Sequence, residues 1–259
     1  MAETGYFGVA GLKPERVDAV QRTRALVDLA LGYGLILAAI WTPNPWRYVL
    51  CFGTLGWVVL STWNFFAGWR AAGISRSGFL RSVWVVGVAL ALVAAAVLLA
   101  SKVHTLHAPH GARLLVESFW GYALWSFLQQ FMLQGLFLAR LLQLLPDRRL
   151  AVLSAASLFA LAHLPNPLLT GMTLVWGVVS CMIFLRYRNL YTVGIVHAVL
   201  GICVAVTVPG AMQHDMRVGL GYLHYRTHDQ PYDHEHRDQR EDGMAGDVRV
   251  SEVGSARRY

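Results

Sequence analysis

The sequence predicts an all-α, polytopic integral membrane bundle of about seven spans, one of them short enough to be re-entrant. Three observations carry this. Of the 259 residues, 56% are hydrophobic and only 14% charged, at a mean hydropathy of +0.45; a soluble domain carries charge at about a quarter of its residues. The apolar residues fall into runs near the ~20 residues that cross a ~30 Å hydrocarbon core. Short segments rich in arginine separate those runs, as expected of loops beside lipid headgroups.

The formal net charge of +7 belongs to those loops. No basic patch interleaved with aromatics points to nucleic acid, so no nucleic-acid partner is expected. Cys51, Cys181 and Cys203 lie inside apolar runs and form no CxxC pair. They read as small packing residues, not as a disulfide framework or a thiolate metal site.

Residues 1–24 form a polar N-terminal segment, with Lys13, Arg16, Arg22 and Arg24 ahead of the first apolar run. That run, 25–41, lacks a small-residue cleavage site and reads as an uncleaved span. Further spans are expected at 48–69 and 83–101, which complete an N-terminal group of helices over 25–116. The core group, 117–210, holds 117–145, 150–163, 168–187 and 191–208. The run 150–163 is short, and His163-Leu164-Pro165-Asn166-Pro167 breaks a helix where it ends.

Basic residues set the expected orientation. Those of 13–24, 70–81, 140–149 and 186–188, Arg140 among them, fall on one side, and only Arg47, Lys102 and Arg113 on the other. This asymmetry places the N-terminus in the cytoplasm. Residues 211–259 turn polar and are expected to form a largely flexible tail, although Met216 to Tyr225 keep apolar and aromatic residues suited to docking on the bundle. His104, His107 and His110 read as an interfacial loop interrupted by Pro109, and no metal site is assigned.

The run 117–145 is unusual inside. Ser126, Gln129, Gln130 and Gln134 fall within an arc of about 140° at ~100° per residue. Amides are costly in hydrocarbon unless bonded, so this face meets protein or a wet cavity. His163 and His197 stand in equally apolar runs. A histidine in a span can simply bridge helices, but two of them with a glutamine cluster on a third span favour one shared site. Gly201 lies one turn beyond His197 and, with Gly194, Ala198 and Ala205, reads as a close-packing stripe.

In this order the stretches QQFMLQ (129–134), FALAH (159–163) and HAVLG (197–201) resemble the CPBP group. That group comprises the type II CAAX prenyl endopeptidases and their bacteriocin-processing relatives, whose signature is EExxxR, FxxxH and HxxxN. HLPNP and RNLYTVGIVHA also resemble them. The resemblance implies a helical intramembrane protein, of a bacterial inner membrane, with a glutamate-and-histidine site. Phe159, His163 and His197 match. Gln129 and Gln130 stand where the resemblance places the water-activating glutamate and its companion, Gln134 where it places the arginine, and Gly201 where it places the oxyanion asparagine.

The implied catalytic positions are thus His163, His197, Gln129 and Gln130, with Gln134, Phe159 and Gly201 as ligand-binding neighbours. A carboxamide cannot act as a general base, and a lost oxyanion donor costs ~10²–10³ in rate. The replacements leave no unpaired buried charge. The first expectation is a non-proteolytic member binding a membrane lipid, an isoprenoid, or the transmembrane helix of a prenylated or membrane-anchored partner. The alternatives are an active intramembrane endopeptidase and a complex subunit with a histidine-ligated cofactor; the cofactor stays open.

Overall fold

The computed structural model describes residues 19–64, 72–74, 76–109 and 111–225. The flexible-tail expectation for 226–259 and most of the N-terminal segment lie outside these residues. Among the described residues all the regular structure is helical: α1 (Ala19–Trp41), α2 (Trp46–Asn64), α3 (Arg76–Lys102) and α4 (Ala112–Phe131) come first. A π-helical stretch, Met132–Leu138, joins α4 to α5 (Ala139–Leu144). Then follow α6 (Arg148–Leu161), α7 (Pro167–Tyr187), α8 (Leu190–Thr207) and the short α9 (Gly210–Gln213) and α10 (Leu220–Leu223). Four helices, α1, most of α3, α7 and α8, are long and apolar enough to cross a membrane by length and composition. The protein is an integral membrane protein.

Local chemistry sets the breaks. Asp147, Asn166 and Asn189 each sit before a helix with extended backbone and accept an amide from its first turn, at 2.8, 3.1 and 2.8 Å. Such side chains satisfy donors that the helix leaves unpaired. Pro167 opens α7, where its missing N–H costs nothing. Arg188 closes α7 in the left-handed region, φ 48°.

Packing defines two ends of the bundle. At one, the Gly219 amide donates to the Leu164 carbonyl at 2.9 Å, a Cβ on Gly219 would meet Ile40, and the His107 amide donates to the Val206 carbonyl at 3.0 Å. At the other, Arg22 reaches the Leu144 carbonyl at 3.5 Å and the Leu190 amide donates to Gly73 at 2.9 Å. Helix α6 runs from the second end to the first. Its 14 residues extend ~21 Å at ~1.5 Å each, too short to cross a ~30 Å core upright.

Arg140 departs from its sequence assignment to a basic loop. It is 1% exposed, and its Nε donates to the Asp28 carboxylate at 2.9 Å while Nη2 donates to the carbonyl and hydroxyl of Ser61, each at 2.9 Å. Helix continues for four residues beyond it, and an arginine inside the bundle is retained only with its charge compensated. Arg140 therefore leaves the set of loop cations.

Candidate functional site

A cavity of about 570 Å³ opens among α1, α2, α4, α6, α7, α8 and the segment after α9. Gln129, His163 and His197 all border it, as do Tyr122 and Phe159. Most of the remaining wall is aliphatic or aromatic. The segment Asp215 to Gly221 forms part of the wall, tied down by Asn166. That side chain is fully buried and donates to the carbonyls of Gln213 and Arg217 at 2.8 and 3.2 Å. One asparagine thus caps α7 and holds the returning chain.

The two histidines meet around Phe159. Its ring stands edge-on to His163 at 5.0 Å and to His197 at 5.9 Å. The Trp176 ring lies 6.1 Å from His197 on another side. His163 Nδ1 pairs with the Phe159 carbonyl at 2.8 Å. A carbonyl only accepts, so Nδ1 carries a proton and Nε2 of the neutral ring is left as an acceptor.

His197 is held by amides. Gln130 Nε2 lies 3.1 Å from His197 Nδ1, and Gln130 Oε1 accepts from Gln134 Nε2 at 3.2 Å. Gln134 Nε2 also donates to Ser180 Oγ at 3.4 Å, which donates to the Gly177 carbonyl at 3.2 Å. With the Gln130 amide donating, Nδ1 of His197 accepts and its proton sits on Nε2. Gln130 and Gln134, 0% and 2% exposed, lie behind the cavity wall. Gln129 alone of the three glutamines borders the cavity. The π-helical stretch begins two residues past Gln130; such stretches re-aim side chains and recur at functional sites.

Gly201 and Gly194 face aromatic rings. A Cβ on Gly201 would fall on the Tyr122 phenol, and one on Gly194 on the Phe127 ring, at 2.5 Å from its nearest carbon. The small residues of α8 therefore admit rings from α4. Tyr122 and Ser180 complete the site without belonging to any motif the sequence offered, and Asn166, from the HLPNP stretch, adds a role that the motif did not announce. Among the described residues, no group of three or more His, Cys, Asp or Glu side chains could hold a metal ion.

The family model for type II CAAX prenyl endopeptidases, Rce1-like, matches residues 111–203. The match spans 93 of the 259 residues. That segment contains all seven motif positions, the two histidines among them, and relates this membrane protein to the CAAX intramembrane proteases. No curated protein and no solved structure matches the chain. The Rce1-like segment does not supply the whole cavity: α1, α2 and the segment from Asp215 to Gly221, outside the matched residues, complete its walls.

Proposed function

We propose that this chain is a non-proteolytic Rce1-like protein whose cavity binds the hydrocarbon chain of a lipid or isoprenoid. The observation that carries the proposal is the neutral ladder Ser180–Gln134–Gln130–His197. Amides occupy the positions where the family resemblance implies charge, and they hold one another and the imidazole. Neither Gln129 nor Gln130 can accept a proton from water near neutral pH. The Tyr122 phenol fills the space beside Gly201 where an asparagine would have to stand.

The cavity suits such a ligand. Its ~570 Å³ falls in the ~300–1,000 Å³ range of small-molecule pockets, which are mainly apolar with a few placed polar groups. Gln129, His163 and His197 are those groups here.

The test is cleavage. A co-expressed prenylated or membrane-anchored substrate is expected to stay intact with the natural protein. Restoration requires five changes together: Gln129→Glu, Gln130→Glu, Gln134→Arg, Gly201→Asn and, to make room for the asparagine, Tyr122→Ala. Cleavage by the natural protein that disappears in His163→Ala or His197→Ala would overturn the proposal and favour an active endopeptidase, with His163 Nε2 as the base.

A further inference from the structure

The cavity wall is not uniformly apolar, and its charged members come from outside the Rce1-like segment. Arg47, Asp215 and Arg217 border it. All three belong to one end of the bundle: Arg47 opens α2, and the other two lie on the segment whose Gly219 rests against Ile40 at the end of α1.

Arg47 has the chemistry to receive an anion. It is half-buried, and its Nε is sealed from solvent with no hydrogen-bond partner. No ion pair engages it among the described residues, not even with Asp215 on the same wall. An Nε–H left in this state costs free energy that an oxyanion would recover through a charge-assisted hydrogen bond. Its position adds to the demand. Arg47 lies in the first turn of α2, where the helix itself presents positive potential and a cation is the disfavoured occupant. Arg217, across the same cavity, is held over the Tyr225 ring at 5.5 Å from its centroid. That contact leaves its N–H groups available to a second partner.

Away from these cations the wall becomes hydrocarbon. Ile40 and Ile36 step down α1, Leu55 and Met132 face them, and Phe137 lies deeper, its ring edge-on to Tyr33 at 5.9 Å. A volume of about 570 Å³ fits one chain better than a two-chain phospholipid. We infer that the cavity takes a single-chain amphiphile with an oxyanion head, the head at Arg47 and Arg217 and the chain toward Phe137. This rests on the lipid-binding proposal above and specifies its ligand class.

The experiment uses the full chain, delipidated in detergent, and displacement of a fluorescent fatty acid. Competitors are palmitate, hexadecyl phosphate, hexadecanol and inorganic phosphate. Palmitate, hexadecyl phosphate or both should compete at least ~10-fold better than hexadecanol, since hydrogen bonds to charged groups are the strong ones. Which of the two competes identifies the head as carboxylate or phosphate. Arg47→Gln should erase the preference, Arg47→Lys should keep part of it, and Arg113→Gln, at an exposed ion pair with Glu117, should leave it intact. If Arg47→Gln does not fold, Arg47→Lys and Arg217→Gln carry the comparison, each expected to reduce the preference.

Equal competition by all three long-chain compounds would overturn the head-group assignment and leave the lipid cavity standing. The same holds if the preference survives in Arg47→Gln. Inorganic phosphate competing as well as hexadecyl phosphate would overturn the amphiphile by removing any role for the chain. Failure of every long-chain compound to bind would overturn this inference and the lipid-binding proposal together.

Discussion

Two buried polar clusters hang on one continuous helical run, a few residues apart, and they solve the same problem in opposite ways. Gln130 and Gln134 join Ser180 and His197 without any formal charge. Arg140, six positions beyond Gln134, keeps its charge and spends it on Asp28 and Ser61. The difference follows their surroundings. Arg140 has a carboxylate at 2.9 Å on a helix that packs against its own. Gln130 and Gln134 bond to each other, to Ser180 and to His197, with no carboxylate among those partners, so a charge in their place would be unpaired. At Arg140 a compensated charge fastens the helices, and behind the cavity wall neutral amides fasten them instead.

The contrast is sharpest under single substitution. Arg140→Met leaves Asp28 buried and alone, a change that costs ~3–5 kcal/mol. It should show as a large drop in thermal unfolding temperature in detergent. Joining it with Asp28→Leu should recover most of the loss, because replacing both ions with apolar groups is often neutral. An unaffected Arg140→Met protein would remove the anchor from the comparison.

A middle-sized effect is expected at Gly201. Gly201→Asn drives a side chain into the Tyr122 phenol, and overpacking of this kind costs ~1–3 kcal/mol. In a Tyr122→Ala background the same substitution should cost distinctly less. Strictly additive costs would mean that the phenol and the glycine do not share the space. Gln134→Leu should be the mildest change. Hydrogen bonds between membrane helices average ~0.6 kcal/mol, and those of Gln134 to Gln130 and Ser180 are long, at 3.2 and 3.4 Å. A loss as great as that of Arg140→Met would abolish the distinction between the two clusters.

Much of this architecture was legible in the sequence because bilayer chemistry is local. Apolar runs located the helices, and HLPNP located the break after α6 because Pro167 and the capping Asn166 act on their nearest neighbours. Gln129 and His197 stand on two helices and His163 in the turn that ends α6, and the order of their motifs grouped them before any geometry was available. What stayed hidden depended on partners distant along the chain. Arg140 looked like one more basic loop residue, since nothing near it announces an aspartate on α1. Tyr122 looked like any aromatic near a membrane surface, and only its meeting with Gly201 gives it a place in the site. The π-helical stretch was illegible too: apart from Gly135 its residues read as an ordinary continuation of α4. Asn166 offered the clearest missed signal, an asparagine before a proline, which is the pattern of a helix start.

The ion pair between Asp28 and Arg140 also carries a schedule. The partners are separated by 112 residues, so at ~5–20 residues per second the ribosome delivers the arginine roughly 6–22 s after the aspartate. Through that interval α1 carries a carboxylate without its counter-ion, and at mid-membrane such a residue opposes insertion by ~2.5–3.5 kcal/mol. The apolar residues of α1 must outweigh that cost alone until α5 is made. The pair thus links the fate of an early helix to a residue made much later.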